Sequence, residues 1–325
     1  MIANTRIEQM SRREMEVLQL ERLQKTLQWA NTKSAFYQQK FREAGVSHED
    51  FQSLEDLRRF PFLQATELRQ VDSLDVLTIP LSGVLRFNHM QEPFGEITKL
   101  YTNGDIARNV EMMSRCLVAA GIHAASIVGL QGELSDSRMM DIQYALEAVG
   151  ATVVPLGTDY RHWLRLMDVV GMDTLISTPQ LVMQLIIQLQ ATGKNIIDYP
   201  ISKIMCINMS NIQNPLQQHI QERTRTKVYN LYAPAEIGLA GMLFQCEAHA
   251  GQHVQEDYFY PEIMEFNSDT PVEEDNRMGE LVVTALVAEA MPLIRYRTGQ
   301  AVSRMSDPCA CGRTLVRVGT PFSFL

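Results

Sequence analysis

No stretch of this chain approaches the roughly 18 uncharged apolar residues that a membrane-crossing helix needs. Met1–Arg13 carries acidic and polar residues where a secretory leader requires an apolar core. No membrane association and a cytoplasmic location are therefore expected. Basic runs are missing too. Lys and Arg number 29 against 38 Asp and Glu, for a net charge of −9, and no cluster could neutralise several phosphates in succession. Nucleic acid is not an expected partner. Cysteine is scarce: five residues at uneven spacings in 325 do not make a disulfide framework. The common catalytic signatures are also lacking. There is no GxGxxG after a strand, no GxxxxGK[ST], no GxSxG and no HExxH, which removes the usual phosphate cradles, the hydrolase nucleophile elbow and the zinc-protease helix.

What is present is an ordinary globular composition, 46% apolar and 21% charged, long enough for one large domain or two small ones. Between Ile7 and Gly45 apolar residues recur at helical spacing and predict two amphipathic helices. A short helix is expected over Gln64–Val71 and an extended segment over Leu77–Phe87. From Asp105 onward, helix-like segments ending in glycine alternate with short apolar strand-like ones. Asp105–Ala120 precedes Gly121 and the strand Ser126–Leu130; Ser135–Val149 precedes Gly150 and Ala151–Leu156; Thr158–Val170 precedes Gly171 and Thr174–Ser177. Each glycine is expected to supply a left-handed helix terminus. Thr178-Pro179 then reads as a cap followed by a first-turn proline, opening a helix to Thr192, with a further strand at Ile204–Asn208. Such alternation predicts an α/β fold, a largely parallel sheet covered by helices on both faces. After Val228 the texture turns β-rich, with strands expected at His253–Phe266, Gly279–Leu286 and Leu293–Tyr296. The expected division is an α/β part over residues 1–227, including the N-terminal helices, and a β-rich lobe over 228–325.

The densest chemical constellation lies in that lobe: Cys246, His249 and His253 at C-x2-H-x3-H spacing, and Cys309 and Cys311 in Pro308-Cys309-Ala310-Cys311-Gly312. Zinc takes four nitrogen or sulfur ligands in a closed tetrahedron, and two short ligand pairs on separate loops can provide them while stapling a small sheet. A structural zinc is expected. His249 has the better knuckle spacing, whereas His253 directly precedes a strand that could fix its ring.

Two long runs, GELVVTAL over Gly279–Leu286 and EAMPLIRYRTG over Glu289–Gly299, resemble the phenylacetate-CoA ligase family. So do GQHVQEDYFYPEI over Gly251–Ile263 and FYQQKFREAG over Phe36–Gly45, so the resemblance covers almost the whole chain. It implies the large domain of an adenylate-forming enzyme, one that couples a carboxylic acid to AMP using ATP and magnesium and then transfers the acyl group to CoA. It also implies a zinc site built from Cys246, His253, Cys309 and Cys311, which favours His253 over His249.

The nucleotide site implied by the resemblance is altered at four places. The family's Ser/Thr/Gly-rich phosphate loop corresponds here to Phe87–Glu96, in which only Gly95 keeps the pattern and Glu92 and Glu96 bring negative charge toward phosphate. Its Tyr-Gly-Leu-Ser-Glu segment reads Tyr232-Ala233-Pro234-Ala235-Glu236. This keeps the aromatic that lies against adenine and the carboxylate associated with magnesium, while Pro234 removes an amide donor and Ala235 a hydroxyl. The ribose-binding aspartate after Arg-Thr-x is Gln300, following Arg297, and a Gly-Gly-Glu segment is replaced by Asn208-Met209-Ser210-Asn211. The family continues through a hinge near Arg317–Leu325 into a small domain with a catalytic lysine, and that domain is expected to be absent.

Tyr232, Glu236 and Arg297 are thus expected to be remnants of a nucleotide site, with ATP, magnesium and CoA binding poorly. The expectation is a pseudoenzyme that binds a small acyl or aryl carboxylate or a protein partner. The open alternative is an active ligase whose C-terminal domain is supplied by another chain, or different chemistry in the same cleft. The methionine pairs Met112-Met113 and Met139-Met140 suggest either a homodimer face or an adaptable core.

Overall fold

The computed structural model describes residues 1–92, 95–133, 136–157, 159–208 and 214–324. After a single helical turn at Thr5–Glu8, two longer helices follow, as their apolar spacing requires. The first, Arg12–Lys33, starts at a reciprocal cap in which the Glu14 amide donates to the Ser11 hydroxyl and the Ser11 amide donates to the Glu14 carboxylate. Leu23, Leu27 and Ala30 lie at i, i+4, i+7 and are fully buried. Ser34 ends this helix and caps the next, Ala35–Glu43. From there the Tyr37 hydroxyl donates to the Pro292 carbonyl at 2.9 Å and accepts from the Ile294 amide at 3.1 Å, tying the N-terminal helices to the far end of the chain.

One large sheet forms the centre. Its parallel half runs Thr152–Pro155, Ile127–Leu130, Thr174–Ser177, Lys203–Asn208, Lys227–Tyr232 in spatial order. Ile204, Met205, Cys206 and Ile207 are all buried, as expected of a strand with helices on both faces. The sheet then continues antiparallel through Leu243–Phe244, Gln252–Val254, Arg317–Val318, Tyr296–Met305, Met278–Ala285 and Phe259–Met264. The expected α/β class with a β-rich second part is what the chain adopts. A separate antiparallel hairpin pairs Arg86–Glu92 with Gly95–Tyr101. No helix among the described residues is long and apolar enough to cross a membrane.

The crossover helices follow the sequence closely: Asn103–Ala119, Ser137–Val149, Tyr160–Val169 and Pro179–Ala191. Thr178 caps the last of these and Pro179 occupies its first turn. Gly150 closes its helix at φ +87°, a left-handed conformation that would strain any side chain. Gly171 departs from expectation. The helix before it ends at Val170 in an extended conformation, so no left-handed terminus is needed there. Met112, Met113 and Met139 are buried core residues, not an exposed face.

Three further expectations are corrected. Leu77–Phe87 is not a continuous extended segment, because a helical turn over Leu81–Gly83 interrupts it and the strand begins at Arg86. His253–Phe266 is two strands, Gln252–Val254 and Phe259–Met264, separated by a turn in which the Phe259 amide reaches back to the Gln255 carbonyl. The last long strand starts where the expected Leu293–Tyr296 ended, at Tyr296, since Arg295 sits at φ +48° and turns the chain there.

A buried ion pair joins the two parts of the molecule. Arg115, on the helix Asn103–Ala119, makes two parallel bonds to the Asp257 carboxylate at 2.8 and 3.0 Å and a third to Glu111 at 2.6 Å. This bidentate geometry is the strongest form of such a pair.

Candidate functional site

The sheet order assembles a thiol and imidazole cluster from three distant segments. Cys246 follows the strand Leu243–Phe244. His253 lies on Gln252–Val254, paired with that strand on one side and with Arg317–Val318 on the other. Cys309 and Cys311 occupy the turn leading into Arg317–Val318. One donor atom from each of these four residues lies within 4.8 Å of every other. The Cys246 and Cys309 sulfurs are 3.7 Å apart, and Cys311 Sγ is 3.4 Å from His253 Nε2. A tetrahedral zinc with metal–sulfur bonds of about 2.3 Å has sulfur–sulfur edges of about 3.8 Å, whereas a disulfide requires about 2.05 Å. The spacing therefore suits a shared metal ion and not a cross-link.

His249 stands outside this group. Its ring packs on Tyr229 at 4.5 Å between centroids, and burial lowers its pKa. The cluster's own electrostatics are uneven. Burial pushes the Cys246 thiol up to about 12. Burial also opposes ionisation of Cys311, yet hydrogen bonds from His253 and Arg313 draw it down to about 5. Four protein donors leave no open position, so such an ion would be structural. The N-terminus is fastened to the same turn: Gln9 donates to the Gly312 carbonyl at 3.1 Å, the Thr314 amide donates to the Glu8 carbonyl at 2.9 Å, and Arg313 pairs with the buried Glu8 carboxylate.

Of the three nucleotide-site candidates, Tyr232 and Glu236 are near enough for the Glu236 charge to act on the Tyr232 hydroxyl, while the Arg297 guanidinium is held by other residues. Tyr232 ends the last parallel strand fully buried, its hydroxyl without a partner among the described residues, and burial raises its pKa strongly. Glu236 lies on the short turn Ala235–Ile237 and is paired with Arg69 at 3.1 Å. Arg297 points its guanidinium elsewhere, to Glu280 at 2.8 Å and the Ser268 carbonyl at 3.1 Å, over the Phe62 ring. Gln300 is buried with its amide oxygen unpartnered among the described residues. Asn208 donates to Asn230 at 3.0 Å, while Met209, Ser210 and Asn211 lie outside the described residues. In the segment corresponding to the phosphate loop, Glu96 is exposed and lies 3.8 Å from His89. Pro93 and Phe94, and the side chain of Glu92, lie outside the described residues.

Glu236 borders a cavity of about 570 Å³ that sequence reasoning did not anticipate, of a size suited to a small molecule. Two cations line it, Arg69 and Lys99, together with Leu68, Val76, Ile97 and Met291. Lys99 is buried and donates to the Met291 carbonyl at 2.9 Å. Gly238, at φ +77°, lets the chain pass close to Lys99 and Tyr101, whose hydroxyl donates to the Gly238 carbonyl at 2.5 Å. A signal for Lys99 did exist: it falls between Ile97 and Tyr101 at period two in a strand, the register of an inward face.

No protein-family model matches the chain. Among curated relatives, a phenylacetate-coenzyme A ligase of Escherichia coli strain K12 is 32% identical over 317 residues, spanning 92% of this chain and 70% of that enzyme. One from Thermus thermophilus is 29% identical over 324 residues, spanning 98% and 72%. Among solved structures, a 2-hydroxyisobutyryl-CoA ligase in complex with 2-HIB-AMP and CoA superposes with a TM-score of 0.89 at 21% identity, over 98% of this chain and 70% of that one. A benzoate CoA ligase from Burkholderia xenovorans LB400 gives 0.53 at 12% identity, over 71% and 48%. The fold is that of the CoA ligases, and at this level of identity and coverage the chain belongs to the phenylacetate-coenzyme A ligase family.

Proposed function

We propose that this protein binds a small acyl or aryl carboxylic acid and does not activate it with ATP. The observation that carries the reading is the Arg69–Glu236 pair. Glu236 stands where the family resemblance puts the carboxylate associated with magnesium, and a guanidinium already occupies it. A metal ion would have to displace that guanidinium from a largely desolvated partner, which is unfavourable. The replacement of the ribose-binding carboxylate by Gln300, the engagement of Arg297 by Glu280, and the acidic segment around Glu96 support the same conclusion. The acid-binding half of the reading rests on the cavity beside Glu236, in which apolar walls and the carboxylates Glu96 and Glu236 accompany the buried Lys99 and the half-buried Arg69. The Cys246, His253, Cys309 and Cys311 cluster is proposed to hold zinc as a staple of the antiparallel part of the sheet.

The test is calorimetric titration of the purified protein with phenylacetate, benzoate and hexanoate in the absence of nucleotide. Saturable, one-to-one heat from at least one acid is expected. An absence of heat from all three contradicts the reading.

A further inference from the structure

The cavity beside Glu236 contains hydrogen-bond donors that the protein itself does not use. The Lys99 ammonium, on the strand Gly95–Tyr101, has three protons, and the structure gives it one acceptor, the Met291 carbonyl. It makes no ion pair with any described residue, although it is more than nine-tenths buried. Arg69 donates from Nη2 to Glu236, and its Nε is buried with no partner among the described residues. Both side chains line the same cavity, and both surround the Glu236 carboxylate, whose charge acts on Lys99 from nearby. A buried ammonium lacking a carboxylate partner is costly unless an anion completes it.

We infer that Lys99 is the residue that selects the ligand's charge, receiving one carboxylate in a site completed by Arg69 Nε. The inference rests on the acid-binding reading above and deepens it. The chemical class is a monocarboxylate with an apolar body. Leu68, Val71, Val76, Ile97, Met291 and Leu293 supply the apolar lining for that body, and Glu96 adds a second carboxylate to the rim that disfavours further negative charge on the ligand. The neighbouring Glu236 carboxylate opposes a dianion such as a phosphate monoester. Asp105, the other carboxylate that acts on Lys99, is already engaged by Arg108 at 2.9 Å and by the Glu289 and Ala290 amides, so it does not take the ligand's place. Burial lowers the Lys99 pKa to about 8, as expected of an ammonium still short of its counter-ion.

The experiment measures dissociation constants of phenylacetate, benzoate and hexanoate, and of their uncharged amides, for the wild-type chain and for Lys99→Met, Lys99→Gln and Lys99→Arg. Met keeps the length and packing of the side chain. Gln keeps a donor for the Met291 carbonyl, and it replaces the Met variant if that one does not fold. At least one acid is expected to bind wild type ten times or more tightly than its amide. That preference should vanish in Lys99→Met and Lys99→Gln, with amide affinity unchanged, and return in part in Lys99→Arg. If an acid binds wild type and the Lys99→Met or Lys99→Gln protein equally well, Lys99 is not the selecting residue, while the acid-binding reading stands. If none of the three acids binds wild type, the reading and the inference both fall.

Discussion

The Arg69 guanidinium donates to Glu236 Oε1 across 3.1 Å, and the carboxylate it meets is only 9% exposed. Where a magnesium-binding carboxylate is implied by family resemblance, this chain holds a charge already neutralised by its own side chain. The closure has an energetic signature. Arg69→Ala leaves Glu236 buried without a partner and should cost about 1–3 kcal/mol, the exposure of Arg69 discounting the larger loss seen for fully buried pairs. In the double variant Arg69→Ala with Glu236→Gln much of that loss should be recovered. Urea denaturation of the four proteins in the cycle measures the coupling; strictly additive losses would show that the pair is incidental.

Metal content is the next expectation. Chelator-free protein should contain about one zinc per chain. Cys309→Ser and His253→Asn should lower zinc content and melting temperature together, whereas His249→Asn should leave zinc content unchanged, because His249 packs on Tyr229 outside the cluster. Cobalt substitution offers an independent check through the visible spectrum of a tetrahedral site. Loss of zinc in His249→Asn with retention in His253→Asn would reverse the ligand assignment.

Asp257 anchors the helix Asn103–Ala119 to the β-rich part through Arg115. Asp257→Asn should therefore destabilise the protein by about 3–5 kcal/mol, the range for breaking a buried pair at one partner. Denaturant titration against an exposed control, Asp275→Asn, measures the difference, and equal stability of the two variants would show that the buried pair contributes nothing.

Lys99 predicts an unusual alkaline dependence. Its pKa in the folded chain, about 8, lies below the ordinary 10.5 because burial disfavours the ammonium, with Asp105 and Glu236 acting in the opposite direction. Between those values the unfolded chain binds the proton that the folded chain has lost, so this group's contribution to stability rises with pH across that window. The full rise is on the order of 3 kcal/mol. Unfolding free energies of wild type minus Lys99→Met, measured from about pH 7.5 to 10.5 without ligand, should increase with pH. Parallel curves would place the Lys99 pKa at its ordinary value.

Much of the parallel half of the fold is legible in the chain, because local and long-range signals agree there. Gly121 and Gly150 follow helices whose ends require a left-handed residue, and the strands between them are short and apolar. The antiparallel half is harder to read. Arg295 breaks an otherwise convincing strand pattern because Glu262 and the Phe60 carbonyl, both distant in sequence, hold its guanidinium and fix the turn. Spacing alone nominates five metal ligands. Only the pairing of Gln252–Val254 with both of its neighbours brings His253, and not His249, to the thiols. Arg69 carried no motif, and Lys99 only the period-two register of its strand, since charged residues on a short helix and a hairpin strand usually face water; the cavity turns Lys99 into a buried donor and leaves Arg69 half-buried beside it.

The proposal that this cleft accepts an acid but not the nucleotide that would activate it is tested most directly by calorimetric titration with ATP and magnesium, alone and with phenylacetate at saturation. No stoichiometric nucleotide binding is expected in either case, and phenylacetate binding should be unaffected by ATP. Tight one-to-one binding of magnesium ATP, or acid binding that strengthens when ATP is present, would show an intact nucleotide site and contradict the proposed function.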